Sequence, residues 1–180
     1  MPKLTPPTAT VHHSFLTAWD EFGTDDRWLG ARSIVSGAPE WTRDQAADPA
    51  EFAAMVAAIT SEASAGTTLA PEMLPQTVLW YVDGPEWLGR LSIRHRLGPA
   101  FAEGAGHITY GVRPSARRRG YATAMLIESL PVAAALGIDP ARVTCLVDNV
   151  GSRKAIEAAG GVLQDEYEGK LRYWVATGRA

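Results

Sequence analysis

The stretch Val112-Arg113-Pro114-Ser115-Ala116-Arg117-Arg118-Arg119-Gly120-Tyr121-Ala122-Thr123 decides how this chain folds. The run His107–Val112 leading into it is β-branched and aromatic, as in a strand. The run after it, from about Gly120 to Leu136, reads as a helix. The segment is therefore a strand-to-helix turn. The first N–H groups of a helix have no partner within it and carry partial positive charge, which makes an anion site. Gly120 removes the side chain that would block an approaching phosphate, and Ala122 keeps the next approach close. Arg117, Arg118 and Arg119 bring full positive charges to a helix end where cations alone are unfavourable, which favours an anion between them. The loop suits a pyrophosphate; the alternative is a solvated arginine turn. It has neither the Gly-Lys-Ser/Thr ending of a P-loop nor Gly-x-Gly-x-x-Gly spacing.

Upstream, Thr77–Val82 and Leu88–His95 read as two further strands. Asp83-Gly84 turns the chain between them, with Pro85 and Glu86 predicting a loop longer than two residues. Asp48-Pro49-Ala50-Glu51 starts a helix as cap, first-turn proline and capping-box acid, with Gly66 as its stop. Ser14 is expected to cap an earlier helix bearing Phe15, Leu16, Trp19 and Phe22 on one stripe, ended by Gly23. Residues 24–47 read as irregular, and Lys3–Thr5 as at most a short edge strand. Downstream, Pro131 predicts a kink or a break near Leu130. Val143–Val147 has the apolar run of a strand buried on both faces. Asn149 or Ser152 caps a short helix to Ala159, and Val162–Tyr167 and Lys170–Val175 form a hairpin around Glu168-Gly169. The order is strand, two helices, three strands, helix, strand, helix, two strands: a mixed α/β chain.

Composition bounds the function. The 180 residues carry a net charge of −3, with 46% hydrophobic and 21% charged residues. One globular domain over residues 1–180 is expected, with residues 1–10 flexible or a short edge strand. The single Cys145 excludes an internal disulfide framework, and with four histidines it argues against a metal site. No run reaches the roughly 18 apolar residues of a membrane span, and the N-terminus lacks a signal-peptide core. A cytoplasmic location is the resulting expectation, without membrane or nucleic-acid partners for so acidic a chain. Only Lys3, Lys154 and Lys170 are lysines among 17 basic residues. Such arginine-rich usage suggests a GC-rich bacterial genome.

Arg117-x-x-Gly120-x-Ala122 resembles the Gln/Arg-x-x-Gly-x-Gly/Ala signature of the GCN5-related N-acetyltransferases, the GNAT superfamily. Asn149-Val150-Gly151-Ser152-Arg153 resembles the family's second motif, and the element order matches its fold. The strings Ile93-Arg94-His95, Gly106-His107-Ile108-Thr109-Tyr110, Gly160-Gly161 and Arg172-Tyr173-Trp174 resemble an uncharacterised bacterial subgroup of predicted acetyltransferases. The resemblance is specific over about residues 77–175. It implies acetyl transfer from acetyl-CoA, as co-substrate and without a metal, to an amine of a small molecule, peptide or protein. The pyrophosphate would lie on the backbone of residues 117–122, contacting Arg117, Arg118, Arg119, Gly120, Tyr121, Ala122 and Thr123. Val112, Asn149 and Ser152 would hold the pantetheine between two strands splayed by a β-bulge. A backbone N–H within Tyr110–Val112 would meet the developing oxyanion.

The departure from the family pattern concerns the proton carriers. The family's usual acid is a Tyr seven positions after the Asn; here that position is Ile156. Ser152 or a water near the sulfur then becomes the candidate acid, with Tyr110 and Tyr121 as further candidates. His107 is the candidate general base, against a structural histidine as the alternative. His95 is a weaker candidate, and Cys145 reads as core. Tyr121 is expected to pack its helix on the sheet, and His12 and His13 to be exposed. Asp25, Asp26, Trp28, Glu40 and Trp41 would suit a cationic acceptor, with Trp-anchored loop as the alternative. A noncatalytic acyl-CoA sensor is the second functional reading, supported by Ile156. A homodimer through the C-terminal strands is a further possibility in this family.

Overall fold

The computed structural model describes residues 1–25, 29–98 and 104–178. Strand β1 (Lys3–Thr5) is followed by helices α1 (His12–Phe22), α2 (Arg43–Ala46) and α3 (Pro49–Ser61). Then come β2 (Gln76–Asp83), β3 (Glu86–Arg94), β4 (Ile108–Val112), α4 (Tyr121–Ala135), β5 (Ala141–Leu146), α5 (Val150–Ala158), β6 (Val162–Tyr167) and β7 (Lys170–Val175). The strands form one mixed sheet in the order β1-β2-β3-β4-β5-β7-β6. Among the described strands only β4 and β5 run parallel, joined by the α4 crossover. The expected α/β class and element order hold, with α2 as an extra turn of helix in the stretch read as irregular.

Each face of the sheet has its own core. Phe15, Trp19, Phe52 and Met55 from α1 and α3 pack on Val78, Trp80 and Trp87. Leu91, Ile93, Ile108 and Val143 pack on the other face against Met125 and Leu126 of α4 and Ile156 of α5. Tyr121 stacks near Tyr81, ring centroids 5.6 Å apart, and so packs α4 on the sheet as expected.

Asp48 caps α3 by accepting from the N–H groups of Ala50 and Glu51. Glu51 itself accepts from the Trp41 indole and so anchors the preceding loop. Several local expectations yield to tertiary contacts. Ser14 lies inside α1 and caps nothing; its hydroxyl is buried between Glu86, the Trp87 N–H and Arg113. His12 is half-buried, stacked on Phe52 with its Nε2 2.7 Å from the Ala46 carbonyl. Helix α3 ends at Ser61, ahead of Gly66. The β2–β3 turn has two residues, since Asp83 already pairs with Glu86. Helix α4 runs through Pro131 without a break, held by buried Met125, Leu126, Ser129 and Ala133.

The feature that positions the site is the parting of β4 from β5. Their pairing is confined to Ile108 and Val143. The expected bulge is absent from β4: its pairing with β3 keeps one register from Ile93–Ile108 to Gly89–Val112. The strands are instead pinned at one end and diverge beyond it. The pin is a clamp in which the His107 N–H donates to the Arg142 carbonyl at 2.7 Å, and the Arg142 N–H donates to His107 Nδ1 at 2.9 Å.

Candidate active site

Beyond the clamp, the register of β4 fixes which backbone groups face the gap. The Arg94 N–H donates to the His107 carbonyl and the Arg113 N–H to the Leu88 carbonyl. In a regular antiparallel ladder these bonds recur at alternate residues. Thr109 and Gly111 therefore turn their backbone groups toward β3, and Tyr110 and Val112 turn theirs into the gap. Arg117 Nε donates to the Val112 carbonyl at 3.1 Å, which leaves the Val112 N–H as an open donor on that side.

The arginine loop continues from there. Arg113 is buried and holds the Trp87 carbonyl, the Ser14 hydroxyl and Glu21. Glu21 also accepts from the Ser115 N–H and hydroxyl, so α1 grips the loop from behind. Arg118 and Gly120 adopt left-handed backbone with φ of 65° and 79°. Gly120 is the N-cap of α4 and offers no side-chain acceptor, and a Cβ there would meet nothing within 4 Å. The first N–H groups of α4, at Tyr121, Ala122 and Thr123, are thus left for an outside partner, because the first intrahelical bond is Ala124 N–H to the Gly120 carbonyl. Arg118 and Arg119 are exposed and make no ion pair among the described residues.

The far wall comes from α5. Asn149 caps this helix through its side-chain oxygen, 3.0 Å from the Ser152 N–H. Ser152 Oγ lies 2.8 Å from the Tyr110 hydroxyl, bridging the wall of the gap to β4. Burial pushes the Tyr110 pKa up to about 12, so the phenol stays protonated at neutral pH. Burial also raises the Cys145 thiol, which fits its core reading. Ile156, at the position of the usual Tyr, is fully buried.

His107 does not join this cluster as a base. Its Nδ1 lone pair already accepts from the Arg142 N–H, which places the proton of the neutral ring on Nε2. Burial, with Arg142 and Arg94 nearby, lowers its pKa. The catalytic expectation for His107 gives way to a clamp. His95 bonds Thr77 Oγ1 at 2.9 Å on the neighbouring strand.

On the opposite sheet face lies a cavity of about 710 Å³, bordered by Arg90, Ser92 and Arg94 of β3, Thr109 of β4, and Trp41. Trp41 is buried and bonded to Glu51, which makes it a loop anchor. Glu40 pairs with Arg32 at 3.5 Å. Asp25 stays at the end of α1, its N–H bonded to the Phe22 carbonyl. Asp26 and Trp28 lie outside the described residues. The arginine lining does not suit the cationic acceptor that this stretch suggested. The polar face of β3 was visible as the alternation Arg90, Ser92, Arg94 against Leu91 and Ile93.

Comparison with known proteins agrees with this architecture. The family model "Acetyltransferase (GNAT) domain" matches residues 27–162, and the chain belongs to that family. Acetyl-CoA is the acyl donor of such domains. Among solved structures, Mycobacterium smegmatis RimJ in complex with CoA-disulfide is 16% identical, with TM-score 0.65, over 97% of this chain and 81% of that one. The microcin C7 self-immunity acetyltransferase MccE, in complex with acetyl-CoA and AMP, is 12% identical, with TM-score 0.60, over 97% and 92%. A ribosomal-protein-S5-alanine acetyltransferase from Vibrio fischeri is 12% identical, with TM-score 0.63, over 98% and 93%. No curated protein sequence matches the chain. Among the described residues no group of His, Cys, Asp and Glu is placed to hold a metal, and no helix is long and apolar enough to cross a membrane.

Proposed function

We propose that this protein transfers the acetyl group of acetyl-CoA directly to the amine of a small molecule, peptide or protein. The observation that carries the proposal is the β4–β5 gap with an uncapped helix start at its mouth. The open N–H groups of residues 121–123, with Gly120, Arg118 and Arg119, suit the pyrophosphate. Exposed Leu146 and Val147 at the end of β5 offer apolar surface to the pantetheine arm. The Val112 N–H and Asn149, whose amide nitrogen is free of the cap, suit its polar groups. The Tyr110 N–H is the oxyanion donor in this reading.

The amine nitrogen attacks the thioester carbonyl, the C–S bond breaks, and coenzyme A leaves as thiolate. A thiol of pKa about 8.5 is too acidic to draw the proton from a phenol near 12. Tyr110 therefore orients Ser152, and the Ser152 hydroxyl solvates the leaving sulfur. The ammonium proton goes to solvent. The lone Cys145 and the absence of a membrane-length helix among the described residues suit the cytoplasm. The outer strand β6, with exposed Val162 and Leu163, gives a homodimer an edge to use.

The test is a panel of amines with acetyl-CoA, followed by free-thiol detection and mass spectrometry. Thiol release with an acceptor 42 Da heavier supports transfer, 42 Da being roughly the added acetyl mass on a displaced amine proton. Tight acetyl-CoA binding with no turnover on any amine would instead indicate the sensor.

A further inference from the structure

We infer that the acceptor is an anionic amine, one that carries a carboxylate or phosphate beside its amino group, and that Arg90 reads that anion. This deepens the transferase reading and rests on it. Among the described residues, the cavity opposite the arginine loop is lined by four arginines, Arg32, Arg43, Arg90 and Arg94, against one carboxylate, Glu40. Three of the four already have partners. Arg43 pairs with Asp20 at 2.8 Å, Arg32 with Glu40 at 3.5 Å, and Arg94 donates to the Gly106 carbonyl and Thr109 Oγ1.

Arg90 is different. Its Nε is buried without a hydrogen-bond partner among the described residues. Glu62 attracts it from a distance, but that carboxylate is occupied by the Ser33 hydroxyl, the Ile34 N–H and Gln76. Desolvation lowers the Arg90 pKa, with Glu62 opposing that shift and Arg94 adding to it. The residue as a whole is half-buried, so its Nε is shielded from water while the side chain still borders the cavity. The backbone supports the placement. Gly30 holds φ of 75°, and a Cβ there would lie 2.4 Å from Arg90 Cδ and Nε. Glycine suits this positive φ and lets the loop cross close over the arginine stem; a larger residue would strain the backbone and push the guanidinium aside.

The position fits transfer. Arg90, Ser92 and Thr109 face the cavity, whereas Leu91, Ile93 and Tyr110 of the same strands belong to the face that carries α4. Acyl donor and acceptor thus approach β4 from opposite faces. A planar guanidinium suits bidentate carboxylate or phosphate recognition.

Matched acceptors test this: dipeptides with a free C-terminal carboxylate, the same dipeptides amidated, and an aminoalkyl phosphate with its alcohol. kcat/KM is measured for the wild type, Arg90→Met and Arg90→Lys, alongside the coenzyme A Kd. The anionic acceptors should exceed their neutral partners by about tenfold or more, mainly through KM. Arg90→Met should erase the preference with the coenzyme A Kd unchanged, and Arg90→Lys should restore part of it. The better of the two anions identifies the source. Equal kcat/KM for acid and amide in the wild type, or a preference that survives Arg90→Met, overturns the inference. If no amine is acetylated, calorimetry with glutarate and inorganic phosphate decides. Anion binding lost in Arg90→Met upholds the anion site although transfer fails; no binding to the wild type overturns it.

Discussion

The Tyr110 hydroxyl lies 2.8 Å from the Ser152 hydroxyl, joining β4 to α5 across strands whose backbones have parted. The phenol is held protonated by burial, so its role is to orient the serine. Ser152→Ala should lower kcat about 100-fold, the lower end for losing one donor to a developing negative charge. Tyr110→Phe should lower it about tenfold, the cost of one orienting hydrogen bond. Both should keep the acetyl-CoA Kd within about threefold, since neither touches the helix start that holds charge. Steady-state kinetics with isothermal titration separates the two quantities. Equal kcat in both variants and wild type would remove the pair from the chemistry.

Gly120 offers a cleaner test of the anion site. Its φ of 79° favours glycine, while the space around a Cβ is empty. Asn and Asp share a shape and tolerate left-handed backbone comparably, so the pair differs by one charge. Gly120→Asp should bind acetyl-CoA about tenfold more weakly than Gly120→Asn, through repulsion at a helix N-terminus. Their melting temperatures without ligand should agree. Equal Kd values would place the pyrophosphate elsewhere.

Short-range signals carried most of the fold into the sequence. The β6–β7 hairpin follows from two alternating runs around Glu168-Gly169, and the α3 cap from Asp48. The Asn149–Ser152 cap was legible because three residues separate donor from acceptor. Ser14 and Arg113 were not, because their bond spans 99 positions. The break that Pro131 offered as one outcome does not occur, because packing of one helix face outweighs a missing hydrogen bond. In the site, the arginine loop was legible and the acceptor side was not. Alternation on β3 marks Arg90 as facing opposite to Leu91 and Ile93. Nothing local says that the opposite face is a cavity, or that Gly30 crosses it.

His107 makes a prediction in pH. Burial, then Arg142 and Arg94, lowers its pKa from 6.5, so the unfolded chain binds the proton first as pH falls. Its contribution to stability is complete above about pH 6.5, declines below it, and levels off under the folded-state pKa. His95 shifts the same way, by burial. His107→Asn should flatten the fall in melting temperature between about pH 7 and 5, leaving the share due to His95. The acidic limb of the kcat profile should persist in this variant, because the clamp uses Nδ1 and leaves no free base. Loss of that limb would return His107 to catalysis.

Arg113 and Glu21 test how the loop is held. Arg113 is almost fully buried, with 7% of its side chain exposed against 22% for Glu21. Arg113→Met leaves the Trp87 carbonyl, the Ser14 hydroxyl and the Glu21 carboxylate short of a donor. Breaking a buried pair from one side costs about 3–5 kcal/mol, and the partial exposure of Glu21 sets the lower end, about 3 kcal/mol by urea denaturation. Glu21→Gln should cost less, about 1–2 kcal/mol, because its amide can still accept from Ser115. The double variant should be more stable than the sum of the single costs implies, with a coupling above about 1 kcal/mol. Arg113→Met should also weaken acetyl-CoA binding, because it frees Glu21, which fixes the Ser115 N–H and hydroxyl two residues ahead of Arg117, and Glu21→Gln, which can keep Ser115, should weaken it less. Additive costs with unchanged acetyl-CoA affinity would mean that α1 packs beside the loop without shaping it.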